Sequence, residues 1–482
     1  DDIAHDGQRV LVVLGQMVDH ARFLGVQVAA AQILGADFLA RGRLHQRRSG
    51  KEDRALLGNT LATNASCATD LGFLPHSRLC TSCAPGHRRQ GAFECAKCPD
   101  NAQNYGLMVL GALVLLLVLV FLVGTSIADA GKQDLSAMVQ KVLINFLQIA
   151  AMARAFPLRW PAALQGLFEF QGAVSTLGEH LINPDCVARA GSAAALFYSK
   201  QLGFVVAPFA TVVLAFAFWV LYGLRKRTPF FRKRASADTK TPKDMFVVTV
   251  GAVLYLLFPT LTAQAFEMFS CRRVGNALYL AADLEERCYE GRHLTMALTL
   301  GLGQLLVFVL GLPALMLVFL VRNRAKLMDS YAVKVRYGLF FSAYKRGRFY
   351  WEAVITARKV CVVALSVFGR TLGPLKQAQI ALVVLLVSIL AEVSGDPFET
   401  GVSARHRVLP RLELSALVTL WGTMWCGTML FTLQSETGQK GTVVFLTVLV
   451  VAANAGMLGW LGTRLVRECA WEKRDTAGRL AQ

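Results

Sequence analysis

Apolar residues along this chain fall into long runs separated by short polar links. The clearest run, 105 to 127 (YGLMVLGALVLLLVLVFLVGTSI), holds no charged residue. As a helix it would rise about 34 Å, enough to cross a hydrocarbon layer of about 30 Å. Eight further runs follow, at about 135 to 155, 202 to 224, 245 to 268, 294 to 321, 350 to 369, 377 to 395, 411 to 433 and 442 to 464. A lipid-facing strand would leave its backbone groups unpaired, so the runs predict helices. The expected fold is an all-α polytopic membrane protein of about nine transmembrane helices, over 105–465, with a tail at 466–482. The second and sixth spans depart from the pattern because they carry charges. Residues 10 to 40 are apolar but broken by Asp19, His20, Arg22 and Asp37. That leaves 1–66 as an amphipathic helical segment outside the membrane, with a further span as the alternative.

The links between runs differ in charge. Residues 225 to 244 hold eight Lys and Arg against two Asp, and 322 to 348 hold eight against Asp329. The tail adds Arg467, Lys473, Arg474 and Arg479. Links 370 to 376 and 434 to 441 are poor in positive charge. Basic links mark the cytoplasmic side, which gives an N-terminus outside and a C-terminus inside, in a plasma membrane or another membrane of the secretory pathway.

Composition agrees. The chain of 482 residues is 54% hydrophobic and 17% charged, below the roughly 25% charged of a soluble domain. Its net charge of +19 lies in the membrane-flanking links, which argues against nucleic acid as a partner. Asp1 stands where an initiator Met would be, and no basic stretch leads into a short apolar core. A processed product or a piece of something longer is therefore expected.

Five of the eleven cysteines crowd into 67 to 98: Cys67, Cys80, Cys83, Cys95 and Cys98. Two CxxC pairs could hold zinc. Disulfides are the expectation and zinc the competing reading, because Asn64 opens an N-glycosylation sequon, the loop charges put the segment outside, and Cys186, Cys271 and Cys288 fall on the same side. Those eight can pair fully. Cys271 and Cys288 share a loop and are expected to bridge each other, which leaves one cysteine of the odd-numbered module for Cys186. Cys361, Cys426 and Cys469 are expected free, and no metal or cofactor is expected.

The stretch CTSCAPGHRRQGAFECAKCP resembles the ephrin-receptor-like and TNF-receptor-like cysteine-rich repeats, in a module over 67–104. A repeat of this kind followed by a single span and a multi-pass domain resembles the TRP-like membrane proteins of algae and protists. The resemblance is carried by QKVLINFLQIAAMARAFPLRWP (140 to 161), LFPTLTAQAFEMFSC with YLAADLEERCYEGRH (257 to 293) and RYGLFFSAYKRGRFYWEAVITARK (336 to 359). The last of these is also similar to the tyrosine-rich basic loop of the fungal TRP-like family. The resemblance implies a cation channel or transport role.

Charged and amide side chains inside spans are costly, so they are the candidates for a pathway or a gate. Lys141, Asn145 and Gln148 share one face of the second span, where interhelical bonding is the alternative role. Arg358 and Lys359 lie near the middle of the sixth span, with Glu352, Thr356 and Lys359 on one face. Glu392 and Glu413, late in the seventh span and early in the eighth, are the acidic partners within reach. A structural ion pair, a gating cluster and an anionic-lipid site all remain open for this group. Ala452, Gly456 and Gly459 in the ninth span read as close helix packing.

No HExxH, GxSxG, P-loop or dinucleotide fingerprint is present, so an enzyme is not expected. The function expected is a TRP-like channel or transport subunit for cations, with a disulfide-rich outer module that senses or assembles. The alternatives are a lipid scramblase-like transporter and a receptor or adhesion protein. Expected partners are the bilayer, cations, anionic lipids, a second copy of the chain and an unidentified extracellular protein.

Overall fold

The computed structural model describes residues 67–98 (except 68, 76, 81, 85 and 91–93), six helical positions between 106 and 124, and then 135–175, 193–227, 241–327, 329–401, 404–434 and 439–481. Segment 1–66 with Asn64, most of the expected first span, and Cys186 lie outside the described residues. The chain divides into two compact units, Asp1–Lys97 and Cys98–Gln482.

In the first unit a hairpin of β1 (His87–Gln90) and β2 (Glu94–Lys97) pairs antiparallel, His87 opposite Lys97. Disulfides Cys67–Cys80 and Cys83–Cys95 hold it, so each CxxC pair is split between bridges. Cys98 is also disulfide-bonded, and none of the described cysteines is its partner. Oxidised sulfurs are not thiolate ligands, which removes the zinc alternative for this module. Cys67, Phe73 and Cys80 form its small core, the usual economy of a module too small for a larger one. Gly72 needs its hydrogen: φ is +81°, and a Cβ would lie 2.4 Å from the His87 ring.

The second unit is helical. In chain order it contains α1 (Leu135–Met152), α2 (Ala162–Ser175), α3 (Ala193–Arg227), α4 (Pro242–Glu267), α5 (Gly291–Arg322), α6 (Tyr331–Phe341), α7 (Trp351–Phe368), α8 (Pro374–Gly395), α9 (Leu409–Leu433) and α10 (Lys440–Ala481). Seven helices are long and apolar enough to cross a membrane, and they cover the second to fifth and seventh to ninth expected spans. The sixth, α7, is a helix that carries three charges, Glu352, Arg358 and Lys359, all buried.

Several links are more ordered than their polarity suggests. The link after α4 folds into an antiparallel sheet of β3 (Cys271–Val274), β4 (Ala277–Leu280) and β5 (Asp283–Arg287), closed by a Cys271–Cys288 disulfide. The basic link after α5 contains α6. α4 starts at a capping box, Thr241 with Asp244, and has Pro242 in its first turn, where a missing N–H costs nothing. α5 is wound more loosely over 297–301 and 305–311.

The main core joins α1, α2, α7, α8, α9 and α10 through residues such as Phe146, Phe168, Ile355, Leu385, Leu417 and Leu461. α10 turns Val450, Asn454, Met457 and Leu461 inward. Its small residues do not pack as the sequence suggested. Ala452, Gly456 and Gly459 are exposed, and nothing lies within 4 Å of a Cβ built on either glycine. The interior stripe repeats on the other side of the helix, so the small residues face away from the bundle.

Candidate functional site

All eight sequence candidates within the spans are buried, and six of them are charged: Lys141, Glu352, Arg358, Lys359, Glu392 and Glu413. They come from four helices that cross one region. α1 contributes Lys141, α7 contributes Glu352, Arg358 and Lys359, α8 contributes Glu392, and α9 contributes Glu413. If all are ionised the set is neutral, three cations against three carboxylates.

Lys141 forms an ion pair with Glu352 Oε2 and donates to the Leu339 carbonyl at 2.8 Å. That carbonyl belongs to the last turn of α6, where carbonyls lack helical partners and the dipole favours a cation. Glu352 Oε2 also accepts from the Tyr344 hydroxyl at 2.8 Å. The turn that carries Tyr344 is held by backbone bonds to the segment after α8, Lys345 N to Pro397 O at 2.7 Å and Glu399 N to Ala343 O at 3.1 Å. Burial, reinforced by the Glu352 carboxylate, raises the Tyr344 phenol well above its usual range, so it acts as a neutral donor.

Arg358 Nη2 meets Glu413 Oε1 at 2.8 Å. Lys359, on the next residue, pairs differently. Among the described residues its ammonium has no carboxylate within ion-pair distance and lies 4.4 Å from the centre of the Tyr255 ring, on α4. The Tyr255 hydroxyl donates to Asn145 Oδ1 at 2.6 Å, and Gln148 Nε2 donates to Leu256 O at 3.3 Å. The polar face of α1 is thus turned to α4, α6 and α7. Glu392 accepts from the Trp351 indole at 3.2 Å and, among the described residues, has no cation within ion-pair distance, unlike the pairing its position suggested. Thr356 donates to the Glu352 carbonyl, not to a side chain of the cluster.

The cluster is incompletely bonded. Glu352 Oε1, Glu392 Oε1, Arg358 Nε and Gln148 Oε1 are buried with no hydrogen-bond partner among the described residues. Buried polar atoms in folded proteins are nearly always paired, so four unpaired ones in one group mark it as unusual.

Heights along the bundle follow from helix rise. Glu413 stands eight residues before the midpoint of α9, about 12 Å towards its N-terminus. The charges therefore gather near one end of the bundle, not at mid-length as counting along the sixth span alone implied. Next to the middle lies a small apolar hollow between the same four helices, lined by residues including Ile149, Phe156, Val362, Ala381, Leu385 and Thr423.

A second polar group was not anticipated. Gln171 on α2 donates to Asn454 Oδ1 at 3.3 Å, and Asn454 donates to Thr423 at 2.8 Å. A third joins Gln201, Gln264 and Gln304 on α3, α4 and α5, with Gln201 donating to Gln264 at 3.0 Å and Gln304 to Gln201 at 3.3 Å. Tyr255, Tyr344 and Trp351 also escaped the sequence reading. Amphipathic aromatics in an apolar run look like ordinary core, and only the positions of their polar tips distinguish them.

No family profile and no solved structure matches the chain. Over 203 residues, 40% of its length, the chain is 24% identical to cysteine repeat modular protein A of Toxoplasma gondii. It spans 6% of the length of that protein.

Proposed function

We propose that this chain is a multi-pass membrane protein of the TRP-like channel or transport class, in which the six-charge cluster is a gating element for cations. The observation that carries the reading is the unequal bonding of the cluster. An ion pair kept only for structure tends to saturate its donors and acceptors, because each unpaired buried atom costs about 1–3 kcal/mol. Here Lys359 rests on a ring, while one oxygen each of Glu352 and Glu392 accepts no hydrogen bond from the described residues. Exchange of Lys359 between the ring and a carboxylate would change which helices are tied together. The apolar hollow between the same four helices fits a constriction that is closed in this arrangement.

In a bilayer the charged end of the bundle lies towards the cytoplasm, where basic links flank it. The Cys-rich module and the Cys271–Cys288 sheet then lie outside, in the compartment where disulfides persist. The test is ion flux in vesicles reconstituted with the purified chain. Cation flux in the wild type that Lys359→Met changes supports the reading, and absence of any flux removes it.

The similarity to part of a much longer protein named for its cysteine repeats favours a second reading. In it the chain is the membrane-anchoring part of a modular receptor or adhesion protein. That reading predicts neither ion flux nor lipid flip in the same vesicles.

A further inference from the structure

The stretch 153–175 does not behave as an external loop. Ser136, at the start of α1, donates to Glu472 at 2.8 Å, and Gln171 meets Asn454 on the same α10. Asn454 and Glu472 are about 27 Å apart along that helix, whereas α1 runs only about 24 Å from Ser136 to Met152. α1 therefore stops level with Asn454, beside the middle of α9. From there the backbone turns, with Leu158 N donating to Phe156 O at 2.8 Å across Pro157 and Arg159 at a positive φ, while Phe156, Leu158 and Trp160 bury their side chains and the Trp160 indole donates back to the Ala153 carbonyl at 3.0 Å. This turn segment meets the C-terminal end of α9, where Gln434 donates to the Arg159 carbonyl at 3.0 Å. α2 then doubles back and returns Gln171 to mid-height. Gly427 on α9 makes room for this segment, since a Cβ there would lie 2.3 Å from the Trp160 ring.

α2 has two exposed edges of different character. One carries Ala163, Gly166 and Phe170, and the other carries Gln165 and Glu169. Glu169 pairs with Arg154 at 2.8 Å, and the two side chains remain 48% and 32% exposed. By the register above, this pair sits within about 5 Å of the level of Asn454, at hydrocarbon depth if the helices span a bilayer. A half-exposed Arg–Glu pair at that depth is not stable against lipid tails and needs water. At the foot of α2 the buried Gln171 Oε1 has no hydrogen-bond partner among the described residues, an acceptor at the same level.

We propose that 153–175 is a re-entrant element, and that Arg154, Gln165 and Glu169 line a water-filled crevice running from the Gln434 end of the bundle to mid-bilayer. The proposal rests on the bilayer placement given above and names the outer half of the pathway. Its ligand is water with the small hydrophilic solutes that water carries, and its floor is the Gln171–Asn454–Thr423 group. The Phe170 edge faces lipid.

The test is substituted-cysteine labelling of the full chain, with Cys361, Cys426 and Cys469 replaced by Ala, in open membrane sheets treated with a charged, lipid-insoluble methanethiosulfonate. Lys440→Cys reports bulk water, and Ala453→Cys, exposed on α10 beside Asn454, reports lipid at the same level. Gln165→Cys and Glu169→Cys are expected to react at least ten times faster than Ala453→Cys and Phe170→Cys. Gln165→Cys keeps the Arg154–Glu169 pair and so guards against misfolding of the other variant. If both react as slowly as Ala453→Cys while Lys440→Cys reacts quickly, the crevice does not exist although the bilayer placement stands. If Ala453→Cys reacts as fast as Lys440→Cys, the bilayer placement itself fails and the crevice with it.

Discussion

Arg358 and Glu413 form a 2.8 Å ion pair between α7 and α9, with both side chains nearly inaccessible. A charge in that position is tolerated because its partner is there, and the partner comes from a helix 55 residues away in sequence. Removing one member strands the other.

Arg358→Met should therefore lower stability by about 3–5 kcal/mol, because Glu413 would be left buried and alone. Arg358→Met combined with Glu413→Gln should recover a substantial part of that loss. Thermal unfolding of the purified variants in one detergent measures both. Equal melting temperatures for wild type and Arg358→Met would mean that the pair is not formed.

Lys359→Met should behave differently from its neighbour. The lysine gives up a ring contact worth about 2 kcal/mol and is relieved of a desolvated charge, two effects that oppose each other. Stability should change by no more than about 1 kcal/mol, while flux changes. A melting temperature that falls as far as that of Arg358→Met would assign Lys359 a hidden structural partner.

Cys98 is expected to bridge Cys186, since Cys67, Cys80, Cys83, Cys95, Cys271 and Cys288 each have a partner within their own loop or module. Cys186→Ser should release one new thiol, at Cys98, and leave Cys67–Cys80 and Cys83–Cys95 intact. Peptide mapping under non-reducing conditions decides this. A mapped Cys98 thiol in the wild-type protein would refute the bridge.

The helices themselves were legible because an apolar run of some twenty residues has few other uses. Lys141, Glu352, Arg358, Lys359, Glu392 and Glu413 were legible for the converse reason, that a charge inside such a run needs an explanation. Their pairing was not. Reach alone allowed Glu392 as a partner for Lys359, but the Trp351 indole takes that carboxylate and Tyr255 takes the ammonium. The path proposed for 153–175 was also hidden. Pro157 and Pro161 mark a break after α1 without saying where the chain goes next, and the amphipathic face of α2 reads as surface until Asn454 is known to lie beside Gln171. The disulfide arrangement fell between these cases: parity fixed how many bridges to expect, and only the fold of the module chose Cys67 with Cys80.

The loop charges make a further prediction. Protease added to sealed, right-side-out membranes should spare 225–244 and cut only after permeabilisation, because the proposed topology puts the eight basic residues of that link inside. Cleavage in sealed membranes would invert the bundle and put the six-charge cluster at the outer face.

The central claim is that the buried charge cluster gates cation movement. Current recorded across a planar bilayer holding the purified wild-type chain, compared with Lys359→Met at matched protein amount and confirmed fold, tests it most directly. The account predicts cation-selective current in the wild type and a changed open probability or selectivity in the variant. Silence in the wild type, or identical currents from wild type, Lys359→Met and Arg358→Met, would contradict it.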